Sequence, residues 1–171
     1  MDVNRVVPTI LQRGEKGIVN AFKEEDKDRH FIWEMLVNRD IAAFVAGDWA
    51  AVENDFIGDG FLGLNACKSA RPDDWQLDFP TLAAYRDEWL RQARLSAATR
   101  YAEPLANGVH RATTLKRIDI KGGTAVAHKV FDGAIGRTDG TEDILAWRTL
   151  YFCWHDGRRW KISGFVGYLP L

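Results

Sequence analysis

The run Ile144-Leu145-Ala146-Trp147-Arg148-Thr149-Leu150-Tyr151-Phe152-Cys153-Trp154, then His155-Asp156-Gly157-Arg158, then Arg159-Trp160-Lys161-Ile162-Ser163-Gly164-Phe165-Val166-Gly167-Tyr168-Leu169, decides the fold. Two β-branched and aromatic stretches flank an Asp-Gly pair, which suits the positive φ angles of a tight hairpin turn. With Asp156-Gly157 as a two-residue turn, His155 pairs with Arg158. Cys153 then lies opposite Trp160, Tyr151 opposite Ile162, Thr149 opposite Gly164, and Trp147 opposite Val166. These residues share one mostly apolar face, expected inward. The other face carries Arg148, Leu150, Phe152, Lys161 and Phe165, and is too apolar for water alone.

An earlier hairpin turns at Gly122-Gly123 and sets Lys121 opposite Thr124. Arg117 then faces His128, Leu115 faces Val130, and Thr113 faces Asp132. On the reverse face Ile118 meets Ala127, and Lys116 meets Lys129. Two opposed lysines are tolerable only in solvent, so His128 and Asp132 are expected on the inner face. A one-residue slip reverses that assignment.

Upstream of residue 100 the periodicity changes from two to between three and four. Trp33, Val37, Ile41, Phe44 and Val45 form one helical stripe, with Gly47 as its stop and Asp48 as the next N-cap. Trp49, Val52 and Phe56 suggest a short helix, and Phe61 to Ala66 reads as a strand. Residues 67–80 read as an irregular loop. A third helix from Thr81 to Ala97 buries Leu82, Tyr85, Trp89 and Ala93, and Asn107-Gly108 reads as a turn into the sheet. Helices gathered on one side of an antiparallel sheet make an α+β domain.

The whole chain is 171 residues, 46% hydrophobic and 27% charged, with a formal net charge of −1. That length and composition fit one folded domain and exclude disorder. The expected division is an N-terminal extension over 1–29 and a single domain over 30–171. Twenty-three basic against 24 acidic residues leave no concentrated positive face, so no nucleic-acid partner is expected. No apolar run reaches the roughly 18 residues of a membrane span. Cys67 and Cys153 are too few for a disulfide framework or a four-cysteine zinc site; both are expected buried and reduced, in a cytoplasmic protein.

The element order, the Asp48-Trp49 junction between helices and the ending Gly157-Arg158-Arg159-Trp160-Lys161-Ile162 resemble the nuclear transport factor two-like superfamily, the SnoaL-like and ketosteroid-isomerase-like fold group. The resemblance spans about residues 30–169. It implies a curved antiparallel sheet wrapped around N-terminal helices, a conical cavity, and a homodimer through the outer sheet face (Arg148, Leu150, Phe152, Phe165).

Candidate site residues follow. His128, between Val126 and Val130, is the candidate proton-transfer group, because burial and a neighbouring Arg117 would keep its imidazole neutral. Asp132 is the second catalytic candidate; four residues along a strand is about 13 Å, so it would act on a different part of a bound molecule. Trp33, Tyr85, Trp89, Trp147 and Tyr151 are candidates to line the cavity, as is Asn65, where the isomerases of the resembled group would be expected to carry a carboxylate. Gly58-Asp59-Gly60-Phe61-Leu62-Gly63 matches a dinucleotide fingerprint by letter but follows a helix and enters a strand, the reverse of what phosphate binding needs. The histidines and cysteines share no metal-ligand spacing, and Asp139, Thr141 and Asp143 read as an exposed loop. No cofactor or metal is implied. The expected function is a cofactor-free lyase, isomerase or cyclase acting on a small apolar ligand; the other readings are a non-catalytic dimeric binding module and an oxygenase subunit.

Overall fold

The structure, a computed structural model, describes residues 18–171, so most of the expected N-terminal extension lies outside the described residues. The helical layer begins with α1 (Lys27–Glu34), capped by the Asp26 side chain. A π-helical turn (Met35–Arg39) leads directly into α2 (Asp40–Ala46), which ends at Gly47 in the left-handed region with φ 66°. Asp48 caps the next segment as expected, but that segment is two 3₁₀ turns, Trp49–Ala51 and Glu53–Asp55, rather than one short helix. The next elements are β1 (Leu62–Asn65), β2 (Gln76–Phe79), α3 (Leu82–Ala98) and α4 (Leu105–Ala112). Four long strands close the chain: β3 (Thr113–Lys121), β4 (Thr124–Gly136), β5 (Glu142–His155) and β6 (Trp160–Leu169).

The six strands form one sheet in the order β2-β1-β6-β5-β4-β3. Every neighbouring pair is antiparallel except β1 with β6, which runs parallel. The helices pack on the inner face. Ile32, Met35, Leu36 and Val37 are at most 1% exposed, and each full burial of this kind contributes about 1.5–3 kcal/mol.

Two elements were hidden in the sequence. Residues 67–80 contain the edge strand β2, and the Asn107-Gly108 turn is instead the middle of α4. Gly108 is needed there for close approach, because a Cβ would stand 2.8 Å from the Ile135 side chain.

The registers explain which faces hold and which reverse. In β5 the alternation stands: Thr149, Tyr151 and Cys153 are buried, while Arg148 and Phe152 are exposed. The turn after it spans four residues, so His155 pairs with Trp160 and not with Arg158. Ser163 then bulges out of the ladder between the pairs Cys153–Ile162 and Phe152–Gly164, with its hydroxyl donating to the Phe152 carbonyl. A bulge adds one residue to one strand and swaps the faces beyond it. Phe165 therefore points inward into the main core, and Val166 joins Leu169, Ala66 and Leu150 in a second cluster.

A second bulge, at Lys116, lies between the pairs Leu115–Lys129 and Arg117–His128. The expected Arg117–His128 pairing is present, yet the bulge removes the Lys116–Lys129 opposition on which the face assignment rested. Lys129 is fully buried, whereas His128 and Asp132 lie on the outer face. The inward placement of those two residues is thereby reversed.

Candidate functional site

Between the helices and the concave face of the sheet lies a cavity of about 340 Å³. Its wall draws on α2, α3, α4 and strands β2, β4, β5 and β6. Aromatic side chains dominate it. Tyr85 on α3 is packed against five other rings: Trp49, Phe56, Phe61, Phe79 and Phe165, with centroid distances of 4.9–6.1 Å. So many ring contacts leave little choice of rotamer, so the direction of its hydroxyl is preset. On the opposite wall Trp147 stacks on Phe131 at 4.7 Å and meets Tyr168 at 5.4 Å.

The wall also carries a carboxylate, Asp40. Asp40 occupies the first position of α2, immediately after the π-helical turn, and its side chain is 27% exposed. The ammonium of Lys129 reaches it from β4 at 2.8 Å and also donates to the Leu36 carbonyl within that turn. Rings of Phe131 and Tyr151 lie 5.0 and 5.9 Å from the same ammonium. A buried lysine is otherwise costly; here a counter-ion, a carbonyl and two π faces compensate it. Asp40 lines the cavity, and its Oδ1 has no hydrogen-bond partner among the described residues.

Two phenols lie within the electrostatic reach of that carboxylate. Burial pushes the Tyr85 hydroxyl well above the usual tyrosine range, and the nearby Tyr151 and Asp40 charges push it further. Tyr151 is raised for the same leading reason, with Asp40 next. Both therefore remain protonated donors throughout the physiological range. No hydrogen bond contributes to either shift, and neither hydroxyl has a protein partner among the described residues.

Two further carboxylates, Glu88 and Asp143, line the cavity. Glu88 is held by a two-pronged contact from Arg91, both distances 2.7 Å, and by Gln92 at 2.8 Å. The first of these bonds does most to lower the Glu88 carboxyl below its ordinary value. Asp143 accepts from the Tyr101 hydroxyl at 2.8 Å and from Arg137. Tyr168, with φ 54°, adopts a left-handed backbone that non-glycine residues rarely take. Its carbonyl accepts from Lys68, which itself has φ 57°.

Four candidates thus meet in the cavity: Tyr85, Trp89, Trp147 and Tyr151. Trp33, 2% exposed, belongs to the solid core instead. Asn65 lies outside the cavity, donating to Asp78 and accepting from the Cys67 amide, both at 2.8 Å. His128 pairs with Asp119 across 3.4 Å on the outer face, and Asp132 is exposed there. Cys153 is buried, with its thiol pushed up to about 12 by burial, but Cys67 is exposed rather than buried.

Asp40, Lys129 and Asp143 were missed. Asp40 carried a readable signal: with Trp33, Val37 and Phe44 it falls at helical spacing on the apolar stripe, where a charged residue needs a reason. Lys129 had a weaker one, since Ala125, Ala127, Lys129 and Phe131 alternate on one face.

Comparison with solved structures adds to this geometry. Chain and fold align with an NTF2-like protein of unknown function from Pseudomonas putida over 82% of this chain and 84% of that one, at 16% identity and a TM-score of 0.52. The fold is NTF2-like. An NTF2-like superfamily protein from Salmonella enterica aligns over 81% and 87% of the two chains, at 15% identity and TM-score 0.50. An NTF2-like protein with a cystatin-like fold from Novosphingobium aromaticivorans aligns over 85% and 84%, at 14% and 0.50. No protein-family model matches the chain, and neither does any curated protein. At these identities NTF2-like describes the architecture alone; the chemistry must come from the cavity. Among the described residues no group of three or more His, Cys, Asp or Glu could hold a metal ion, and no helix is long and apolar enough to cross a membrane.

Proposed function

We propose that this protein is a cofactor-free lyase, isomerase or cyclase acting on a small molecule with a largely apolar body, with Asp40 as its general base. The observation that carries this reading is the Asp40 carboxylate on the wall of an aromatic cavity. One of its oxygens is held by Lys129 at 2.8 Å, and the other accepts no hydrogen bond among the described residues. Oδ1 removes a proton from a carbon beside a carbonyl, and the bonding pair moves onto the carbonyl oxygen. The Tyr85 and Tyr151 hydroxyls donate to that developing oxyanion, the kind of preset dipole that lowers such barriers. Return of the proton at another carbon gives an isomer; attack by, or elimination from, the enolate gives cyclase or lyase chemistry.

Proton abstraction can be measured before the product is known. A panel of small cyclic ketones and amino ketones in heavy water, followed by NMR, should show protein-dependent loss of the hydrogens beside the carbonyl. Asp40→Asn, which preserves an acceptor for Lys129, should slow that exchange by about 10²–10⁴-fold. Exchange equally fast in Asp40→Asn would overturn the assignment. A cavity that binds these ketones without exchange would favour the binding-module reading.

We also propose a homodimer through the outer face of the sheet, centred on Phe152 and Trp154, which are 41% and 47% exposed. Of the residues first expected there, Phe165 has turned inward and Leu150 packs with the cluster that Trp75 adjoins.

A further inference from the structure

We infer that the molecule bound in the cavity is an organic ammonium compound: an apolar body that carries an oxygen function and a positively charged amine. The inference deepens the proposed function and rests on the same cavity.

Three observations point to it. The first is the orientation of charge. Among the described residues lining the cavity, the side chains charged at neutral pH are Asp40, Glu88 and Asp143, all carboxylates. Their cationic partners Lys129, Arg91 and Arg137 stand behind them and do not form the wall. Each ion pair therefore presents its negative end to the ligand. A cation inside gains from three such pairs, and an anion meets three carboxylates with no compensating guanidinium or ammonium on the wall.

The second observation is what lines the cavity beside those carboxylates. Trp147 stacks on Phe131 and contacts Tyr168, and all three rings line the same cavity as the three carboxylates. Aromatic faces combined with carboxylates are the chemistry that binds alkylammonium groups. The protein already uses this combination on itself, holding the Lys129 ammonium by Asp40, the Leu36 carbonyl and the rings of Phe131 and Tyr151.

The third observation is the Tyr151 hydroxyl. The residue is 9% exposed and borders the cavity, yet its hydroxyl has no protein acceptor among the described residues. A hydroxyl on the cavity wall with no protein acceptor is free to donate to a ligand oxygen. Such an oxygen would lie beside Tyr151, in the same cavity as Tyr85 and Asp40.

Three probes of one shape test this by equilibrium dialysis against the full chain: benzyltrimethylammonium, neopentylbenzene and benzylsulfonate. The first two differ only by nitrogen for carbon at the branch. The ammonium probe should bind at least about threefold tighter than the hydrocarbon, within the usual range of cation–π attraction, and the sulfonate more weakly than either. Glu88→Gln, which removes one carboxylate from the cavity wall, should weaken ammonium binding about threefold and leave the hydrocarbon unchanged. A hydrocarbon that binds as tightly as the ammonium, a tighter sulfonate, or equal losses of both probes in Glu88→Gln would each overturn the inference while leaving Asp40 chemistry to stand on deuterium exchange. Failure of all three probes to bind would overturn this inference, and the proposed function would still be decided separately by deuterium exchange in the ketones.

Discussion

Lys129 and Asp40 show how differently the two ends of one ion pair can matter. Lys129 is wholly enclosed, whereas Asp40 keeps 27% of its side chain exposed. Removing the carboxylate in Asp40→Ala strands a buried ammonium and should cost about 3–5 kcal/mol. Lys129→Met replaces the stem with a flexible apolar side chain and leaves Asp40 to cavity water, so about 1 kcal/mol is expected. Denaturant unfolding of both variants checks the asymmetry; equal losses would contradict it. His110 supplies a pH dependence. Burial first, and then the charge of Lys129, lower its pKa, and its Nδ1 is enclosed without a partner. As pH falls through the ordinary histidine value, the unfolded chain gains a proton that the native state resists. Stability therefore decreases toward acid. The thermal midpoint of the wild type should drop between about pH 7.5 and pH 5, and His110→Gln should flatten that drop.

At the level of elements, the bulges direct the site as much as the strands do. Ser163 turns Phe165 inward to complete the Tyr85 ring cluster, and the glycine that follows makes the turn possible. A Cβ on Gly164 would collide with the backbone carbonyl of Leu62, across the parallel β1–β6 pair. Backbone cannot yield as a side-chain tip can, so Gly164→Ala should destabilise by about 3 kcal/mol. Gly58→Ala, with nothing within 4 Å of the added carbon, should stay within about 0.5 kcal/mol. Thermal denaturation of the two variants separates these outcomes. The same bulges mark the boundary of what could be read in advance. The helix stripe, the caps at Asp48 and Gly47, and the alternation of β5 follow from local periodicity, which the chain states openly. A bulge depends on what the neighbouring strand and the opposite layer require, so the shifts at Lys116 and Ser163 left no local mark. Lys129 was hidden for a related reason: a lysine is solvated by default, and only a carboxylate 89 residues earlier in the chain makes its burial tolerable.

At the scale of the whole molecule, the sheet separates two surfaces. Its concave side, with α2, α3 and α4, encloses the cavity, and its convex side exposes Phe152 and Trp154, the centre of the proposed dimer contact. Substituting both with glutamate should convert a dimer to a monomer in sedimentation equilibrium with little change in thermal midpoint; an unchanged mass would count against that interface. One more consequence follows from the two cysteines. Cys153 is sealed, its thiol raised to about 12, whereas Cys67 is exposed in a groove that shares Phe79, Glu88, Gln92 and Tyr168 with the cavity wall. A maleimide fluorophore would attach at Cys67 alone and sit beside the cavity. The native chain thus comes with its own optical handle, whose emission should register an arriving ligand without any engineered change to the sequence.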